Sequence, residues 1–162
     1  MTLGLDDELF AVLDNLRQQY FPVARNFIPA HLTLFHALPG DHLDKISDRL
    51  TRIAEDIAPM PVRSAGLLDF GGGVAISMEV DGLAAIHAAL RHDWKSWLTR
   101  QDDRKLRAHV TVQNKVDRAT VLRTFAHLEE TLPILTGTAV SLDLWHYRGG
   151  PWEAAGRFAF TG

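Results

Sequence analysis

The string Ala30-His31-Leu32-Thr33-Leu34 returns 78 positions later as Ala108-His109-Val110-Thr111-Val112, and this repetition constrains the fold more than any other feature of the chain. Along a β-strand successive side chains point to opposite faces. Each copy therefore presents a histidine and a threonine on one face and two aliphatic residues on the other. A fold that accommodates both copies must supply two equivalent half-buried strands.

The same succession of elements surrounds each copy. Period-3.6 spacing predicts four amphipathic helices. The first, over "DDELFAVLDNLRQQY", has acidic residues at its positive end, a stripe of Leu9, Val12, Leu13, Leu16 and Tyr20, and Pro22 as its stop. The second carries Leu43, Ile46, Leu50, Ile53 and Ile57 behind an Asp41 cap. The third runs from an Asp81 cap through Leu83, Ile86, Leu90 and Trp94, and the fourth from Asp117 through Val121, Phe125 and Leu128 to Pro133. Strand-like runs lie between them: "HLTLFHAL", "VRSAGLLDF", "VAISMEV", "HVTVQN", "AVSLDLWHY" and "RFAF", with "TLGL" as a short first strand. "GGG" at Gly71 to Gly73 and "RGGPW" at Arg148 to Trp152 read as hairpin turns, which demand antiparallel neighbours. The order is helix, strand, helix, hairpin, stated twice. The expectation is a duplicated, two-lobed α+β fold, with antiparallel sheets facing a central cleft and helices on the outer faces. No Ser/Pro-rich or low-complexity stretch separates the halves, so residues 1–162 form a single domain with a shared core.

Composition limits the functions open to such a domain. A net charge of −3 argues against an extended nucleic-acid surface, which draws on Lys and Arg across a whole face. Any nucleic-acid partner is expected to be small. One local exception is "RQDDRKLRAHV", where Arg100, Arg104, Lys105 and Arg107 lead into the second repeat, partly offset by Asp102 and Asp103. It reads either as a solvated loop or as a mouth that steers phosphate. Without cysteine there are no disulfides, thiolate metal sites or thiol nucleophiles. No run approaches the roughly 20 apolar residues of a membrane span, and the first ten residues are acidic where a signal peptide is basic. A cytoplasmic, monomeric protein is expected.

The residues at the repeat suggest a chemistry. Paired imidazoles suit displacement at phosphorus: a neutral one takes a proton from the nucleophile and a protonated one gives a proton to the leaving oxygen. Both forms are accessible near neutral pH. His31 and His109 are the candidate acid and base, expected on facing sheets. Thr33 and Thr111 are the candidate donors to the non-bridging oxygens, where charge builds. No Asp, Glu, Cys or further His stands beside either motif at a recognisable ligand spacing, so no metal or cofactor is expected.

At these residues the chain resembles the two-histidine (2H) phosphoesterase superfamily, which includes the 2′,5′ RNA ligase-like proteins and cyclic phosphodiesterases. Two H-x-[ST] motifs flanked by apolar residues in a duplicated α+β fold are its hallmark, matched by His31-Leu32-Thr33 and His109-Val110-Thr111. "LRQQYFP", "LTLFHALP" and "GGPW" look like one bacterial branch of the RNA ligase-like group. The resemblance implies metal-independent cleavage or formation of phosphodiesters that involve a ribose 2′-oxygen, with 2′,3′-cyclic phosphate ends as typical substrates. A catalytically silent module that holds a nucleotide or RNA end is the alternative.

Strand parity supplies further candidates. If the second motif strand begins as early as Arg107, this residue is a candidate to grip phosphate, and Phe35 is a candidate either to stack a base or to pack in the core, since each shares a face with its motif's His and Thr. Tyr147 and Trp152 are possible substrate contacts beside the "GGPW" turn. His36 falls on the Leu32 and Leu34 face, where a structural role is expected.

Overall fold

The computed structural model describes residues 1–149 and 151–162. Gly150, within the expected "RGGPW" turn, lies outside the described residues. The elements in order are β1 (Thr2–Leu5), α1 (Asp7–Tyr20), β2 (Leu32–Thr33), α2 (Leu43–Glu55), β3 (Met60–Asp69), β4 (Val74–Val80), α3 (Leu83–Asp93), β5 (His109–Gln113), α4 (Arg118–Thr131), β6 (Thr136–His146) and β7 (Glu153–Ala159). Helix, strand, helix and hairpin occur twice, behind the added strand β1.

Helix starts follow local chemistry in two cases. Asp6 accepts the Leu9 N–H at 2.8 Å and Asp117 accepts the Thr120 N–H at 2.9 Å, each satisfying an orphan donor of the first turn. The expected Asp41 and Asp81 caps do not form. A 3₁₀ turn over Gly40–His42 leads into α2, and α3 starts from Gly82 in the left-handed region at φ 80°. The β3–β4 turn uses Gly71 at φ 82°, while at Gly73 a Cβ would overlap the Gln113 carbonyl oxygen.

Every strand pairing is antiparallel, as hairpins require, and the fold is α+β. The halves meet more intimately than two facing sheets. The strands form one network in the order β1-β2-β5-β4-β3-β6-β7, and β1 also pairs with β6, which closes the path into a ring. The first hairpin, β3–β4, lies beside the second motif strand β5; the second hairpin reaches the first motif strand through β1. Each half thus completes the other's sheet, which explains the missing linker. Helix α1 packs on β5 and β6, α2 on β6 and β7, and α4 on β3 and β4. The core they cover includes Leu13, Leu32, Leu50, Ile76, Val110 and Leu142, all fully buried. Among the described residues no helix is long and apolar enough to cross a membrane.

Candidate active site

The two repeated strings are hydrogen-bonded neighbours. Leu32 of β2 is the antiparallel partner of Val110 of β5, and both are fully buried. Alternation then sends His31, Thr33, His109 and Thr111 out of the opposite face. An antiparallel pair has a local two-fold between its strands, and here that axis relates one H-x-T to the other. Continuing the register sets His31 across from Thr111 and Thr33 across from His109, with the histidines on the diagonal, where Cβ atoms stand about 7 Å apart. The expectation of facing sheets is corrected: one sheet surface carries all four groups. They line a single cavity of about 340 Å³.

Both histidines are oriented by the same device. His31 Nδ1 lies 2.8 Å from the Pro29 carbonyl oxygen, and His109 Nδ1 lies 2.6 Å from that of Arg107, in each case two residues upstream. A carbonyl can only accept, so Nδ1 carries the hydrogen and Nε2 is left free. The surroundings nevertheless differ. Trp152 covers His31, with ring centroids 4.6 Å apart, whereas Phe70 approaches His109 edge-on at 6.1 Å. Burial pushes the His31 imidazole down to about 4, against the upward pull of the Pro29 carbonyl; the positive charges of Arg17, the Met1 amine and His109 lower it further.

Beyond Thr33 the strand stops, and the parity argument stops with it. The N–H groups of Leu34 and Phe35 both turn to the Met1 carbonyl, at 3.0 and 3.3 Å, and those of His36 and Ala37 donate to the Asp102 carboxylate at 2.7 and 3.1 Å. The expected eight-residue strand is therefore two residues long, and the two aromatic positions exchange sides. Phe35, the candidate base platform, borders the cavity but is fully buried, stacked on His87 at 4.7 Å and packed against Trp94 at 5.3 Å. His36, assigned to the core side, is exposed and lines the cavity, its Nδ1 3.1 Å from Asp102 Oδ1. Among the described residues no three His, Cys, Asp or Glu side chains are disposed to hold a metal ion.

Trp152 and Tyr147 line the cavity as the sequence suggested, Tyr147 being largely exposed. Arg107 does not: its carbonyl holds His109, and its side chain borders a neighbouring groove. Two further residues escaped the sequence reading. Trp145 of β6 joins the wall, donating from Nε1 to Thr2 Oγ1 at 2.8 Å, and its parity with Asp143, opposite to Leu142 and Leu144, marks it as facing away from the core. Arg17 is buried within the α1 stripe. It donates to Asn26 Oδ1 at 2.8 Å, to the Ile28 carbonyl at 3.1 Å and to the Thr111 carbonyl at 2.7 Å, so one guanidinium braces the approach to the first motif against the strand of the second. The i, i+4, i+8 series Leu9, Leu13, Arg17 was its only signal in the sequence. On the far side of His31, Trp145 and Trp152 opens a second cavity, of about 470 Å³, flanked by Phe10 and Phe27 and with Asp143 and Arg157 among its polar lining.

Comparison with known proteins bears on the fold and the family. The solved structures include one of similar fold, described as the crystal structure of TT0787 of Thermus thermophilus, with a TM-score of 0.67 and 18% sequence identity over 98% of this chain and 95% of that chain. No curated protein matches the chain. The profile of the 2′-5′ RNA ligase superfamily matches residues 5–151, a span that contains both H-x-T strands and both hairpins' strands β3, β4 and β6. The chain therefore belongs to the 2′-5′ RNA ligase superfamily, a group of phosphoesterases and ligases.

Proposed function

We propose that the protein is a metal-independent phosphoesterase acting on 2′,3′-cyclic phosphate or 2′,5′-linked phosphodiester ends of RNA or small nucleotides. The observation that carries this reading is the pair of Nδ1-anchored imidazoles, each with Nε2 free, on the same sheet surface as two threonine hydroxyls. In hydrolysis of a cyclic phosphate, water attacks phosphorus as the bond to one ribose oxygen breaks. One imidazole takes the proton of the water and the other delivers a proton to the departing oxygen. His31 is the base in this direction, because its depressed proton affinity keeps it neutral at pH 7. His109 is the acid, and the roles exchange when the bond is formed instead. Thr33 and Thr111 donate to the non-bridging oxygens as charge accumulates on them. The aromatic surfaces of Trp152 and Trp145 offer the base a stacking face.

The test is direct assay of nucleoside 2′,3′-cyclic phosphates and 2′,5′-linked oligonucleotides with a chelator present. Turnover that persists under chelation and disappears in His109→Ala supports the proposal. Saturable binding with no product from either substrate class would replace it with a nucleotide-binding module. Activity lost to the chelator and restored by a divalent metal would remove its metal-independent chemistry.

A further inference from the structure

The loop before the second motif carries positive charge that its own acidic residues do not cancel. Asp102 is buried: its carboxylate accepts from the backbone of His36 and Ala37, from Thr99 Oγ1 at 3.0 Å, and from His36 Nδ1. Asp103 lies 3.7 Å from Arg91 of α3. Arg104, Lys105 and Arg107 are exposed, and among the described residues none of them makes an ion pair. They border a groove of about 140 Å³ together with Thr33, His36 and His109, three residues that also line the H-x-T cavity. The two spaces are therefore adjacent and open to a common ligand.

We propose that this groove binds a second phosphate group of the substrate, distinct from the phosphate held between His31 and His109. The inference rests on the proposed function for what fills the H-x-T cavity. The groove's volume is well below the roughly 300 Å³ at which small-molecule pockets begin, so it suits a phosphate and excludes a nucleoside. Guanidinium groups match phosphate oxygens in bidentate fashion, and a lysine adds a point charge. His36, which lines the groove, is held by Asp102 through Nδ1, which leaves its Nε2 available to a ligand, and in the protonated form that nitrogen donates. Asp102 positions this imidazole and, by tying the loop to the bend after β2, fixes where the three cations stand. The substrate class that follows is a nucleotide or RNA end with at least one phosphate besides the reacting one, such as a 5′-phosphate on the same nucleoside.

Calorimetric titration with two probes, adenosine 2′-monophosphate and adenosine 2′,5′-bisphosphate, tests this without requiring turnover. The bisphosphate is expected to bind about tenfold more tightly or better, as for one added charge-assisted contact. The combined variant R104Q/K105Q/R107Q should abolish that advantage, so that the two probes bind it about equally. H36Q should reduce the advantage. All four side chains are exposed, and thermal melts of both variants serve as the folding control. Monophosphate binding with no gain from the second phosphate overturns the second site and leaves the proposed function standing. A gain that survives the triple variant also overturns it. Failure of both probes to bind overturns the reading of the cavity, and the second site with it.

Discussion

The two H-x-T strands differ in almost nothing but their surroundings. Each has its histidine Nδ1 bound to a carbonyl two residues upstream, each buries its central aliphatic residue, and a local two-fold relates them. Around the first, Trp152 closes over the ring and Arg17 lies near enough to disfavour a second positive charge. Around the second lie the exposed edge of Phe70 and a loop rich in Arg and Lys. Duplication supplies two identical groups; desolvation and nearby charge lower the proton affinity of the first, which suits it to the base's task in the proposed mechanism.

The largest effects should come from deleting either member of the pair. His31→Ala and His109→Ala are each expected to lower kcat/KM by about 10² to 10⁴-fold, and the double variant by less than the product, because the two act as a unit. Steady-state kinetics on a cyclic phosphate measures this, and a folded double variant with full turnover would break the comparison. Thr33→Val and Thr111→Val should follow at roughly 10²-fold each, by analogy with loss of an oxyanion donor. Unequal losses at the two threonines would show that the two-fold of the strands does not extend to the transition state.

Arg17→Met removes three partly buried hydrogen bonds, one of them to the strand of the second motif. A loss of roughly 2–4 kcal/mol in denaturant unfolding is expected. The same change takes a positive charge away from His31 and should raise its proton affinity, visible in its imidazole NMR titration.

Trp152→Ala separates the halves more gently. Desolvation is the main cause of the depressed His31 affinity, so uncovering the ring should move the acidic limb of the kcat/KM profile from about pH 4 toward 6.5. Stability responds in the matching sense. With a folded value near 4 and an unfolded value near 6.5, the unfolded chain takes up the proton first as pH falls. The His31 contribution is therefore complete above about pH 6.5 and declines toward pH 4. His31→Gln should flatten the melting temperature across that window. Phe70→Ala, the counterpart on the second half, should change the pH profile least, since the ring meets His109 only by its edge and is 46% exposed.

Much of the site was legible because a short strand obeys a simple rule. Alternation put His31 with Thr33, and His109 with Thr111, on a shared strand face from five residues at a time, and Asp6 and Asp117 show what a capping residue looks like when it acts. Phe35 and His36 mark where that reading ends. Parity assumes that the ladder continues, but the N–H groups after Thr33 were taken by the Met1 carbonyl and by Asp102, which lie 33 or more positions away in the chain. No local pattern contains that competition. Arg17 was hidden for a related reason: a charged residue in an apolar stripe looks like an interruption until the carbonyls that satisfy it are known.

Periodicity, caps and the repeated string, all properties of neighbours in sequence, determined the element order, the duplication and the histidine and threonine that each motif strand presents on one face. Tertiary structure alone decided that the two strings would pair in one sheet, that each half would complete the other's strands, and that Trp152 and Arg17 would fall beside one histidine and the basic loop beside the other. Proton affinity and cavity shape depend on burial and on charges brought together from distant segments, and those distances exist only once the chain has folded.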